Sequence, residues 1–224
     1  MRVSDYGDYY GWIFGAGGGG GEWTVVSPGF SMPTGINDVG QIIGWYYDYN
    51  TEATGYFLFT PNAPLIQLSF YPTAINNLGQ IAGTGGSGGV VTQPGGTTPS
   101  DVPVDPTAIN ILGQIVGGDV LYSQGEVINL GLPKGETAPQ YQSFATGIND
   151  LGVIVDYSES SSDARGLVYV KGKWYDLNDL VNATGKGFTI TEATGINNVG
   201  QIIATALDAA GNQHAVILTV VGFQ

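Results

Sequence analysis

One motif of eleven residues occurs five times along this chain. It reads TGINDVGQIIG from Thr34, TAINNLGQIAG from Thr73, TAINILGQIVG from Thr107, TGINDLGVIVD from Thr146 and TGINNVGQIIA from Thr194. Successive copies begin 39, 34, 39 and 48 residues apart. A period of about 40 residues is the length of one four-stranded propeller blade. The repeat therefore predicts an all-β chain, a five-bladed β-propeller of four-stranded antiparallel blades.

Within each unit the strand order is legible. The segment T-[GA]-I-N is a short first strand, and Asn-x-x-Gly is a hairpin turn, since both residues tolerate positive φ and Asn bonds nearby backbone. Gln41–Tyr46 reads as the second strand of the first unit. Gly55–Phe59, Gly166–Val170 and His214–Leu218 read as third strands. Leu65–Leu68, Val127–Leu130 and Trp174–Leu177 read as fourth strands. No helical period is evident. The second unit, glycine-, threonine- and proline-rich from Gly83 to Thr98, is expected to be thin or irregular.

The fifth unit stops after its third strand, while Glu22–Ser27 has a fourth-strand pattern ahead of the first motif. Pairing of that segment with the C-terminal three strands would close the ring in a 3+1 arrangement and cover exposed edges. Residues 22–224 are then one propeller domain, and residues 1–21 are an aromatic and glycine-rich extension. In that extension Tyr10–Phe14 resembles another third strand, followed by the run Gly17–Gly21. It is read as an extra strand, a tail or a strand given to a neighbour.

Composition narrows the partners. Six basic residues against 19 acidic ones give a net charge of −13. Nucleic acid is an unsuitable partner, because phosphate binding needs clustered Lys and Arg. No apolar run approaches the ~20 residues of a membrane span. There is no cysteine and one histidine, His214, so thiolate and three-histidine zinc sites are excluded. His214 falls in a repeat-defined strand position, which argues for a structural role over a Ser-His-Asp system.

The pattern GINxxGQIVG, followed by a strand like Gln213–Leu218, resembles the HAF-type extracellular repeat of bacteria over roughly residues 22–221. It is degraded where Val153 stands in place of glutamine. The resemblance implies export, an extracellular or cell-surface location and a propeller-like fold. It implies no catalytic activity. The first residues, Met1-Arg2-Val3-Ser4-Asp5-Tyr6, lack the apolar core of a secretion signal, so an export signal is expected outside these 224 residues.

Candidate sites follow from what the repeat leaves over. Asn37, Asn76, Asn110, Asn149 and Asn197 are expected to be structural turn residues that satisfy local backbone groups. Gln41, Gln80, Gln114 and Gln201 are expected to bond between blades. Glycosidases on five-bladed propellers place two or three acids on inner strands. The T-[GA]-I-N strands carry none, with Glu192 just before the fifth as the nearest approach, so no catalytic residue is assigned. Asp48, Asn50 and Glu52 place oxygen ligands at alternate positions, making calcium the one candidate cofactor, without the glycine and glutamate of a complete EF-hand loop. The aromatics Trp12, Trp45, Tyr47 and Tyr49 are the candidate ligand surface, since Trp and Tyr beside Asp and Asn suit sugar stacking or protein contact. Three functions remain in view: an interaction module for glycan or surface protein, a structural subunit that self-associates through its N-terminal strand, and, less favoured, a glycosidase.

Overall fold

A computed structural model describes residues 12–14, 23–25, 30–133, 142–159, 164–182 and 187–219. The chain is all-β, with antiparallel sheets that follow the repeat one to one. It divides into two compact units, Met1–Asp101 and Val102–Gln224.

The first unit holds two four-stranded sheets. The first sheet comprises Phe30–Ile36, Ile42–Asp48, Ala53–Phe59 and Ile66–Leu68, in that order. The second comprises Tyr71–Ile75, Ile81–Gly85, Gly88–Thr92 and Pro99–Asp101. The second sheet was expected to be thin or irregular; it has four strands, and the shorter strands are those of the third sheet. Ile43, Leu58 and Leu68 of the first sheet bury against Phe70, Ile81 and Val90 on the way into and within the second. The unit also contains a two-stranded sheet, Trp12–Phe14 against Trp23–Val25. The strand expected within Tyr10–Phe14 is thus present. Gly17–Gly21 lie outside the described residues.

The second unit holds the remaining three sheets. They are Ala108–Ile109, Ile115–Gly117, Val120–Ser123 and Glu126–Asn129; then Gln142–Ile148, Ile154–Glu159, Ala164–Val170 and Lys173–Asp176; then Phe188–Ile196, Gln201–Asp208 and Gln213–Thr219. Val116, Leu130, Ala145, Ile148 and Ile154 form one apolar layer, and Val155, Val168, Ile190, Ile202, Ala204 and Ala206 another. One element is absent from the sequence reading. Leu177–Leu180 is a single helical turn, capped by the Asp176 carboxylate, which accepts from the Asn178 amide. The segment Leu177-Asn-Asp-Leu180 is too short to carry a helical period, and Leu177, read as the end of a fourth strand, opens the turn instead.

The fifth sheet has three strands, as expected from where the fifth unit stops. Glu22–Ser27 was expected to pair with it; among the described residues one edge of Trp23–Val25 pairs with Trp12–Phe14. Alternation along the strands fixes the faces. At the second apolar position of the motif, Ile43, Val116 and Val155 are 0% exposed, whereas Ile203 in the fifth sheet is 52% exposed.

Candidate functional site

The repeated motif is a linkage device between successive sheets. Each Asn-x-x-Gly turn closes with the glycine amide donating to the asparagine carbonyl, as from Gly40 to Asn37 at 3.0 Å and from Gly113 to Asn110 at 3.0 Å. The glycines lie at φ of 71° to 79°, the left-handed conformation that follows a type I turn in a bulged hairpin. The asparagine Oδ1 then accepts from the amide four residues on: Gln41, Gln80, Gln114, Val153 and Gln201. The expected turn role is therefore seen at all five asparagines.

The other half of three of these amides does something the sequence did not announce. Asn37 Nδ2 donates to the Asn76 carbonyl at 3.0 Å, Asn110 Nδ2 to Asn149 at 3.1 Å, and Asn149 Nδ2 to Asn197 at 3.2 Å. The glutamines, expected to bridge sheets, instead make the hydrogen bonds seen here inside their own sheet. Gln41, Gln80, Gln114 and Gln201 Oε1 each accept from the asparagine of the same turn, at 2.7–2.9 Å. An amide in a turn has two spare donors, and a glutamine four residues on is close enough to take one, leaving the other for the next sheet.

Two further links repeat. The motif threonine is an extra residue in the ladder at Thr34, Thr73, Thr146 and Thr194, where the register slips by one. A bulge re-aims its side chain. Thr34 Oγ1 donates to the Pro72 carbonyl at 2.8 Å, Thr107 to Ala145 at 2.6 Å and Thr146 to Ala193 at 2.6 Å, each just before the next motif. The residue after the asparagine clasps its successor. Asn77 Nδ2 donates to Asp38 Oδ2 at 2.6 Å, and Asn198 Nδ2 to Asp150 Oδ2 at 2.6 Å.

The candidate ligand residues lie in the first unit. Cross-strand pairing sets Phe30 opposite Tyr47 and Met32 opposite Trp45, so all four share one face of the first sheet. Phe30 and Trp45 rings are 5.2 Å apart and tilted, and Tyr47 meets Tyr49 edge-on at 5.4 Å. Trp45 and Tyr47 are half-buried and Tyr49 is exposed. Phe30, which sequence reasoning missed, completes this shelf; its position four residues before Thr34 was the available signal. The shelf is long because Ile42–Asp48 is long. Aligned on the motif, Tyr47 and Asp48 correspond to Gly86 and Ser87, the turn where the second sheet ends. Trp12 opens the strand paired opposite Val25. Its side chain lies outside the described residues.

Tyr46 faces the other way. Its ring covers Gly55, and its hydroxyl accepts from Gln67 Nε2 at 2.8 Å, so it belongs to the fold and not to the shelf.

The candidate calcium ligands are partly committed to the turn. Asp48 Oδ1 accepts from the Asn50 amide at 2.8 Å, which holds the Asp48 carboxyl below its usual range, and Glu52 sits at φ 55°. Among the described residues no three His, Cys, Asp or Glu side chains are grouped to hold a metal. His214 Nε2 lies 3.0 Å from Asp208 Oδ2, with its ring edge-on to Phe188 at 5.4 Å, on an exposed hairpin. Glu192 is half-buried opposite Thr205.

Asp156 is the residue that most breaks the repeat. It stands where the first three motifs carry Gly44, Gly83 and Gly117, is fully buried, and accepts from the Phe144 amide at 3.2 Å. No helix among the described residues is long and apolar enough to cross a membrane. No protein-family model matches the chain, and no characterised protein matches it closely enough to count as a relative.

Proposed function

We propose that this chain is a non-catalytic interaction module of the cell surface, a closed five-bladed β-propeller whose aromatic shelf binds glycan. The shelf carries the reading. Phe30, Trp45 and Tyr47 share one face of the first sheet, Tyr49 meets Tyr47 edge-on in the turn that follows, and Tyr47 aligns with the turn where the second sheet has already ended. Flat aromatic faces flanked by Asp48 and Asn50 suit the apolar face and hydroxyl rim of a sugar ring. The extracellular placement rests on the resemblance to HAF-type repeats.

Ring closure is supported by the fifth sheet. Its three strands and its exposed Ile203, at a position buried in other sheets, call for a covering partner. The edge of Trp23–Val25 not used by Trp12–Phe14 is the strand proposed to complete that sheet. A second reading uses the same hairpin between molecules, giving a self-assembling structural protein. Light scattering of the full chain and of a chain lacking residues 1–21, which removes Trp12–Phe14 and keeps Trp23–Val25, separates the two. Concentration-dependent assembly lost on truncation favours the structural reading; a monomer in both favours closure within one chain.

The binding reading is tested by titrating soluble oligosaccharides while following tryptophan fluorescence. A saturable change, abolished in Trp45→Ala at unchanged thermal stability, is expected. A saturable change that survives Trp45→Ala would place the site elsewhere, and no change with any glycan would overturn the glycan reading.

A further inference from the structure

A different surface carries a second inference, independent of the aromatic shelf. The second middle residue of every motif turn is aliphatic: Val39, Leu78, Leu112, Leu151 and Val199. Middle positions of such turns favour Asp, Asn, Ser or Gly, which bond nearby backbone or tolerate positive φ. Here Leu112 is 68%, Leu151 73% and Val199 75% exposed. Their packing within the fold is slight, so the fold gives little reason for an aliphatic residue at this position in all five turns. Scattered surface leucines are ordinary, but contiguous ones mark contact surfaces.

In the second unit the turns that carry these tips are joined one to the next by hydrogen bonds. The Ile111 amide donates to Asp150 Oδ1 at 2.8 Å, the Asp150 amide to Asn198 Oδ1 at 2.9 Å, and Asn198 Nδ2 returns to Asp150 Oδ2. Three neighbouring turns are thus clasped by the residue immediately before each exposed aliphatic. A preorganised apolar row loses little freedom when covered.

Charge decides the occupant. Asp150 sits within the row, none of the five turns contains Lys or Arg, and the chain as a whole is at −13. A second copy would bring Asp150 against its like, and an anionic lipid surface would be repelled. A basic amphipathic segment meets both the aliphatic row and the carboxylate.

We infer that the turn tips Leu112, Leu151 and Val199, with Asp150 between them, dock a cationic amphipathic segment of a partner protein.

The probe is a synthetic helix of leucine and lysine, about 18 residues or five turns long, with a scrambled peptide of the same composition as its control. Fluorescence anisotropy near physiological salt should show saturable binding of the amphipathic peptide, well above the scrambled one. The triple variant Leu112→Ser, Leu151→Ser, Val199→Ser leaves charge unchanged and touches only exposed side chains. It should keep the thermal midpoint and weaken binding by about tenfold or more. Raising the salt concentration should weaken binding of both peptides while the amphipathic one keeps its advantage, and loss of that advantage in salt would overturn the inference. Equal binding of both peptides, or full binding by the folded triple variant, would reduce the effect to net-charge attraction and overturn the inference. Sedimentation showing a dimer that the triple variant dissolves would overturn it in favour of a second copy.

Discussion

The side-chain amide of Asn110 donates to the main-chain carbonyl of Asn149 at 3.1 Å, while its own Oδ1 accepts from the Gln114 amide at 3.0 Å. One side chain thus closes a hairpin and hooks the next. Both bonds need the turn and the neighbouring sheet in place together. Local turn formation and sheet stacking are therefore coupled, which is how a repeat protein turns weak units into a cooperative whole. The same geometry recurs from Asn37 to Asn76 and from Asn149 to Asn197.

Replacing Asn110 with Asp keeps the shape and the acceptor but deletes the donor to Asn149 and to Gln114. Asn110 is buried, so its partners are left without bonds in a dry setting. The expected cost is about 2–3 kcal/mol in urea unfolding followed by tryptophan fluorescence. Asn197 is exposed and donates to Gln201. There Asn197→Asp should cost less than about 1 kcal/mol. An equal or larger loss at Asn197 would show that the bond to the next sheet matters little.

The bulged threonines separate the same two contributions with a near-isosteric change. Thr146 Oγ1 reaches the Ala193 carbonyl at 2.6 Å, in the next sheet, whereas Thr194 Oγ1 reaches Ile203 at 3.2 Å in its own. Thr146→Val should lower stability by about 1–2 kcal/mol, and Thr194→Val by under about 0.5 kcal/mol. Thermal midpoints of the two variants, measured side by side, decide the matter.

Much of this was legible because the repeat is written in turn chemistry. Asn37, Gly40 and their four equivalents announce a hairpin corner by residue type alone, and the strands on either side follow by alternation. The sheet-to-sheet bonds were not legible, because the asparagine amide that makes them looks no different from one that only closes a turn. The roles assigned to Asn and Gln were therefore partly exchanged. Asp156 was missed for a related reason: it falls at a glycine position, and nothing in the sequence says that Leu167 opposite it leaves room that Phe57 opposite Gly44 does not. Of the shelf, Trp45, Tyr47 and Tyr49 were visible as a cluster, but Phe30 joins only through cross-strand register. The pairing of Trp23–Val25 depends on which edges meet in space, which strand pattern does not encode.

Gly44 shows how one position trades size across a ladder. A Cβ there would meet the Met32 carbonyl oxygen and come within 2.7 Å of the Phe57 ring, its cross-strand partner. The fifth sheet solves the same position with Ala204 opposite the smaller Val216. Gly44→Ala should cost about 3 kcal/mol, while Gly86→Ala, with open space around it, should stay within about 0.5 kcal/mol. Gly44→Ala combined with Phe57→Val should be less destabilised than the two single losses summed, because they share a contact. Additive losses in chemical denaturation would mean that the Met32 carbonyl alone sets the limit.

The Asp208–Asn212 hairpin gives the chain a predicted acid sensitivity. Its carboxylate accepts from Asn212 Nδ2, lies 3.0 Å from His214 Nε2, and accepts from the Asn212 and Ala210 amides. The Asn212 side chain, then His214, holds the carboxyl well below its ordinary value. A folded-state pKa below the unfolded one means the stabilisation is complete above the unfolded value, about 4, and is lost as pH falls further. Asp48, lowered by the Asn50 amide, acts in the same direction. The thermal midpoint should therefore decline below about pH 4, and Asp208→Asn should flatten that decline while lowering the midpoint at neutral pH. Both groups are only partly buried, so the slope should shrink in high salt. A variant with the full acid decline of the parent would show that the hairpin carboxylate does not govern it.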